Sequence, residues 1–156
     1  ANKARVGIII GIVLLIATSM SGAVTALGDT LFPVDPTLGQ GLFARIRDDL
    51  SSVNHFLVRL RIFHPIIAVV ASAYLIYLGA IARAGASRDI ISRLSTGLIV
   101  LVVIQVAAGL LNVALYAPGW LQLTHLALAQ AVWIALILLG YEMVYTPERT
   151  PSVSGR

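Results

Sequence analysis

The stretch Asn54-His55-Phe56-Leu57-Val58-Arg59-Leu60-Arg61-Ile62-Phe63-His64-Pro65-Ile66-Ile67-Ala68-Val69-Val70 begins polar and basic, carries two histidines and runs straight into an apolar segment. It reads as the start of a transmembrane helix, with His64 just inside the headgroup boundary. Another histidine answers it further along. His125, in Gln122-Leu123-Thr124-His125-Leu126-Ala127-Leu128-Ala129-Gln130, also stands a few residues into a long apolar run.

Working outward, a chain of 156 residues that is 58% hydrophobic and only 12% charged is far too apolar for a soluble domain of that length. Crossing a hydrocarbon core about 30 Å thick takes roughly 20 apolar helical residues. Four such runs are present, near Val6 to Leu27, Ile62 to Ala82, Leu94 to Tyr116 and Trp120 to Val144. The expected fold is therefore all-α: an integral membrane four-helix bundle. Between the first two spans, Leu38, Leu42, Ile46, Leu50, Val53 and Leu57 recur at helical spacing opposite Arg45, Arg47, Asp48 and Asp49. That pattern predicts an amphipathic helix on the outer membrane surface, either a lid over a site there or a plain interfacial anchor. Residues 1–145 form the expected four-helix transmembrane domain, and the Pro-, Ser- and charge-rich residues 146–156 a polar cytoplasmic tail.

The net charge of +4 does not point to nucleic acid, because the basic residues are spread over loops and ends rather than gathered on one face. They read as topology determinants. Lys3 and Arg5 precede the first span, Arg83, Arg88 and Arg93 crowd the second connection, and Ala117-Pro118-Gly119 in the third carries no charge. Counting lysines and arginines places both termini and the second connection in the cytoplasm of a plasma-membrane protein. The first connection fits less well, with Arg45, Arg47, Arg59 and Arg61, but it is long enough for the rule to weaken. The absence of cysteine excludes disulfides, thiolate metal sites, iron–sulfur clusters and covalent heme attachment. The first apolar run is longer than a signal-peptide core and lacks a convincing cleavage pattern, so it reads as a retained helix.

On one helix, His55 and His64 would lie about 13 Å apart along the axis and on nearly opposite faces. They cannot share a ligand unless the helix breaks between them, and His55 reads as an ordinary interfacial histidine. Pro65 either interrupts a regular helix there or places His64 at the cap with Pro65 in the first turn. His64 and His125 differ from His55 in that both begin spans entering from the same side, so their imidazoles fall at similar depth. Two neutral imidazoles at one level, with no carboxylate or thiolate beside them, suit axial ligation of a heme iron, because the porphyrin supplies the other four nitrogens. Zinc would want further protein ligands. The alternative is a pair of core histidines bonded to helix carbonyls, set against the cost of burying polar groups in lipid without a function. In the third span, Gln105, Gly109 and Asn112 share one stripe, and Gln105 either makes an interhelical hydrogen bond or lines a cofactor pocket. In the first span, Thr18-Ser19-Met20-Ser21-Gly22-Ala23 is small enough for a neighbouring helix or a flat ligand to approach closely. Tyr116, Trp120 and Trp133 read as belt or packing aromatics.

The order Gln105-x-x-x-Gly109, Pro118-Gly119, His125-Leu126-x-x-Ala129 and Trp133, preceded by a basic-flanked His64 and by Gly28-Asp29-Thr30-Leu31-Phe32-Pro33 after the first span, resembles heme A synthase. Those enzymes have two similar four-helix halves, and this chain has the layout of one. The resemblance implies an oxidoreductase that converts heme O to heme A for cytochrome oxidase assembly, with His64 and His125 as ligands to heme b, and heme O and heme A as substrate and product. It also implies a homo-oligomer or association with another membrane subunit. The family's catalytic half usually has glutamate three residues before its first histidine and arginine after it, whereas Arg61 and Pro65 stand there in this chain. The cysteine pair of many bacterial members is missing, and no Asp or Glu falls in the outer half of a predicted span. The likeness is thus closer to the half with a resident heme, with Arg59 and Arg61 placed to pair with heme propionates. A non-catalytic heme b electron-transfer subunit and a purely structural subunit are the competing readings.

Overall fold

The computed structural model describes residues 2–31 and 62–145. They form four helices: α1 (Asn2–Leu31), α2 (Phe63–Ala84), α3 (Asp89–Ala114) and α4 (Gly119–Val144). All four are long and apolar enough to cross a bilayer. The expected amphipathic helix, the polar tail, and His55, Arg59 and Arg61 lie outside the described residues.

Local chemistry sets the helix ends. In α2, Pro65 occupies the first turn, where its missing N–H would have had no intrahelical partner. Arg83 lies in the last turn, the favourable end of the dipole for a cation. Asp89 opens α3 with the complementary charge. This helix begins five residues before the predicted Leu94, because Arg88 in extended conformation starts it as soon as the tight turn from α2 ends. The other difference is in α1, which continues past the predicted Leu27 to Leu31. Gly28 and Asp29 thus belong to its last turns rather than to a loop, since neither forces a break while Thr30 bonds back to the Ala26 carbonyl at 2.8 Å.

The α3–α4 turn is tight and strained. Tyr116 and Ala117 both adopt left-handed backbone, at φ 61° and 53°, a conformation that disfavours residues with a Cβ. The Ala117 N–H donates to the Asn112 carbonyl at 2.7 Å, and Gln122 Nε2 donates to the Ala117 carbonyl at 2.6 Å, fastening the turn from both sides.

Each helix packs on two neighbours, with α1 against α4 closing the ring. Short connections make α2, α3 and α4 run alternately. The core of Ile8, Leu15, Leu75, Leu78, Ala82, Ile91, Leu98, Val102, Val132, Ala135, Leu136 and Leu139 runs from the end bearing Lys3 and Arg88 to mid-bundle. Close approach there uses glycine: a Cβ on Gly79 would come within 2.9 Å of Ile99, and one on Gly140 within 2.9 Å of Ile8. Arg88 clasps the same end. It donates to Glu142 Oε2 at 2.7 Å and to the Glu142 carbonyl at 2.6 Å, bringing a cation to the last turn of α4. Val6, Val13, Val69, Val103 and Ile134 face outward, as an exterior solvated by acyl chains requires.

Candidate functional site

Beyond Leu15, Val102 and Val132 the continuous core stops, and the two histidines stand in the half of the bundle that follows. His64, on the first turn of α2, is half-buried against α1. Its Nδ1 lies 3.0 Å from Ser21 Oγ, and the Ser21 hydroxyl donates to the Thr18 carbonyl at 2.9 Å. A hydroxyl has one proton. With that proton on Thr18, Ser21 can only accept from His64, so Nδ1 carries the imidazole hydrogen and Nε2 keeps a free lone pair. Beneath the ring is Gly22, where a Cβ would come within 3.0 Å of Cε1.

His125, on the second turn of α4, is half-buried against α3. Its Nε2 lies 3.3 Å from Gln105 Nε2, while its Nδ1 is buried with no hydrogen-bond partner. Gly109 lies beneath this ring, with a Cβ position 3.2 Å from Cε1. Gln105 Oε1 and Asn112 Oδ1 on the same stripe of α3 are also buried and unpartnered. Unsatisfied buried acceptors cost roughly 1–3 kcal/mol each, so this cluster is suited to a guest that supplies partners.

Both rings stand near the starts of helices that run the same way, α2 and α4. The sequence-predicted His64, His125 and Gln105 thus come to one end of the bundle. Gln105 reaches across to α4, one of the two roles open to it, and Trp133 packs on the core and donates to Ser19 Oγ at 3.3 Å. Among the described residues no three His, Cys, Asp or Glu side chains come together as a metal site. Two imidazoles over glycines, with orphaned polar atoms beside His125, would suit a flat macrocyclic metal complex that brings its own in-plane nitrogens.

Sequence reasoning noted the small residues of α1 without assigning them to His64. A register repeat would have done so. Thr18-x-x-x-Gly22-x-x-Thr25 in α1 matches Gln105-x-x-x-Gly109-x-x-Asn112 in α3. Seven, eleven, fourteen and fifteen residues past His64 come Ala71, Leu75, Leu78 and Gly79, and the same steps past His125 give Val132, Leu136, Leu139 and Gly140, all buried. The bundle is two helix hairpins built to one register, each presenting one imidazole.

Comparison with known proteins identifies relatives of the chain. The chain is 44% identical over 131 residues to proteins named protoheme IX farnesyltransferase from two strains of Thermus thermophilus, a match that covers 84% of this chain. It spans about a fifth, 21%, of the length of those relatives. No solved structure is significantly similar to it. A sequence model of the cytochrome oxidase assembly protein family, COX15-CtaA, matches residues 1–137, a stretch that takes in all of α1, α2 and α3 and both histidines. The chain is therefore a multi-pass membrane protein that belongs to the family of cytochrome oxidase assembly proteins.

Proposed function

We propose that this chain binds one heme between His64 and His125 and acts as a heme A synthase-like oxidoreductase, in the form of one four-helix half. The observation that carries this reading is the pair of half-buried imidazoles on matched hairpins, each over a glycine, with His125 Nδ1, Gln105 Oε1 and Asn112 Oδ1 left unpartnered. The family's role in cytochrome oxidase assembly supports it. So does the likeness to proteins whose name concerns protoheme, although a chain spanning a fifth of their length is not assigned their whole activity.

Bound heme would supply one-electron chemistry at its iron; turning a ring methyl of heme O into the formyl group of heme A removes four electrons and four protons and adds one oxygen atom from water, so this reading requires an external electron acceptor reached through a membrane partner. The chain's own residues hold and orient. Ser21 fixes the His64 tautomer that leaves Nε2 available, and partners of this kind outside the metal's own ligands commonly govern affinity. Gly22 and Gly109 leave room for a flat ring system against the helices. Arg59 and Arg61 suit propionate pairing, a charge-assisted contact for which guanidinium is fitted. With Arg61 and Pro65 where the catalytic half of the resembled enzymes usually has glutamate and arginine, the same observations favour a second reading, a resident heme b that passes electrons to another subunit. In either case the site faces the outer side of the plasma membrane, and the chain works beside a second copy or another membrane subunit.

The test is a reduced-minus-oxidised spectrum of the purified chain, followed by chromatography of the extracted heme. Heme near one per chain with a low-spin spectrum supports the site, and its absence overturns it. Conversion of heme O to heme A by membranes containing this chain selects the synthase reading, whereas heme b alone with no conversion selects electron transfer.

A further inference from the structure

The hydrogen bonds at the two imidazoles differ, although the hairpins beneath them match. We infer that His64 is the fixed ligand of this site and His125 an exchangeable one, with Gln105 as the positioning residue that competes for it. The inference rests on the heme reading above and adds to it an order of strength between the two axial positions.

At His64 the bonded nitrogen is Nδ1, tied through Ser21 to the Thr18 carbonyl. This chain of bonds orients the ring and leaves Nε2 unencumbered, so nothing in the protein has to be broken for that nitrogen to coordinate. At His125 the bonded nitrogen is Nε2, the one Gln105 reaches at 3.3 Å, while Nδ1 is buried without a partner. Coordination there requires the amide to withdraw. The position equivalent to Ser21 on α3 is Ala108, which has no hydroxyl to accept from the imidazole, so His125 lacks the tie that fixes His64. Gln105 is also the one polar group of the matched pair that can move into this role. Its counterpart Thr18 is short and bonded back to the Leu14 carbonyl at 2.8 Å, whereas Gln105 has a long side chain whose Oε1 has no partner.

A His125 that is not holding the group would be held by Gln105, leaving its side of the site open to a competing ligand. One neutral hydrogen bond of this kind shifts such an equilibrium by roughly two- to tenfold. The proposal is tested on the heme-loaded chain by carbon monoxide titration of the ferrous form and by heme-to-protein ratio. His125→Ala is expected to retain most of its heme in a five-coordinate state through His64, whereas His64→Ala loses most of it. Gln105→Met, which keeps the shape of the side chain without its donor, is expected to lower carbon monoxide affinity roughly two- to tenfold, and Gln105→Leu to do the same. Equal heme retention in the two histidine variants, or carbon monoxide affinity unchanged in both glutamine variants, overturns the inference while leaving the heme site standing. A wild-type chain that takes up no heme overturns both.

Discussion

Gly22 lies directly beneath His64, so close that a Cβ on the glycine would stand 3.0 Å from the imidazole Cε1. Gly109 stands in the same relation to His125 at 3.2 Å. Neither distance leaves room for a branched side chain. Gly22→Val or Gly109→Val is expected to push the imidazole out of place, with overpacking worth about 1–3 kcal/mol, or roughly five- to a hundredfold in heme affinity. Heme titration of the two variants measures it. Helical content should stay near wild type, because the continuous core stops short of both glycines; unaltered heme affinity in both would show that the rings are not held against these helices.

The ligand assignment separates three histidines. His64→Ala and His125→Ala should each abolish a low-spin bis-histidine spectrum, while His55→Ala leaves it nearly intact. Optical and paramagnetic resonance spectra of the purified variants decide this. Equal loss in all three would place the ligands elsewhere.

The histidines and the four spans were legible because lipid makes both conspicuous. Twenty apolar residues in a row have few other uses, and an imidazole among them calls for a reason. Gln105 was visible on the same ground. Ser21 and Gly22 were not assigned to His64, since small residues in a membrane helix are first explained by helix packing, and only the register of α1 against α3 ties them to a particular ring. Helix ends were less legible. Nothing in Gly28-Asp29-Thr30-Leu31 obliges a helix to stop, and Asp89 begins α3 because the turn before it is short, a property of the connection and not of hydropathy. Pro118-Gly119 marks the turn between α3 and α4, but the left-handed backbone at Tyr116 and Ala117 has no sequence signature, as those residues are neither glycine nor asparagine.

The clasp between Arg88 and Glu142 sits at the opposite end of the bundle from the histidines. Its two groups are about a quarter exposed, 25% and 22%, so the ion pair is partly screened. Arg88 also satisfies the Glu142 carbonyl near the end of α4, which would otherwise lack an intrahelical partner. Arg88→Ala is expected to cost about 1 kcal/mol, read as a modest fall in the thermal midpoint in detergent, and Glu142→Gln less, since the carbonyl contact survives. The heme spectrum of both should match wild type. A spectral change would mean that the two ends of the bundle are mechanically coupled.

The chain lacks cysteine, so single cysteines report its orientation without background. Ser87 is exposed in the α2–α3 connection, and a Cβ on Gly119 at the start of α4 meets nothing within 4 Å. Arg83, Arg88 and Arg93 surround Ser87, and a cluster of this kind is retained on the cytoplasmic side. Pairing of Arg88 with Glu142 does not alter that expectation, because the rule counts basic residues rather than net charge. An impermeant thiol reagent applied to intact cells should label Gly119→Cys at once and Ser87→Cys only after the membrane is opened. Because α2 and α4 run the same way, His64 and His125 share the side marked by Gly119. The reverse labelling would put both imidazoles toward the cytoplasm, where any electron donor or heme supplier would have to reach them from inside the cell.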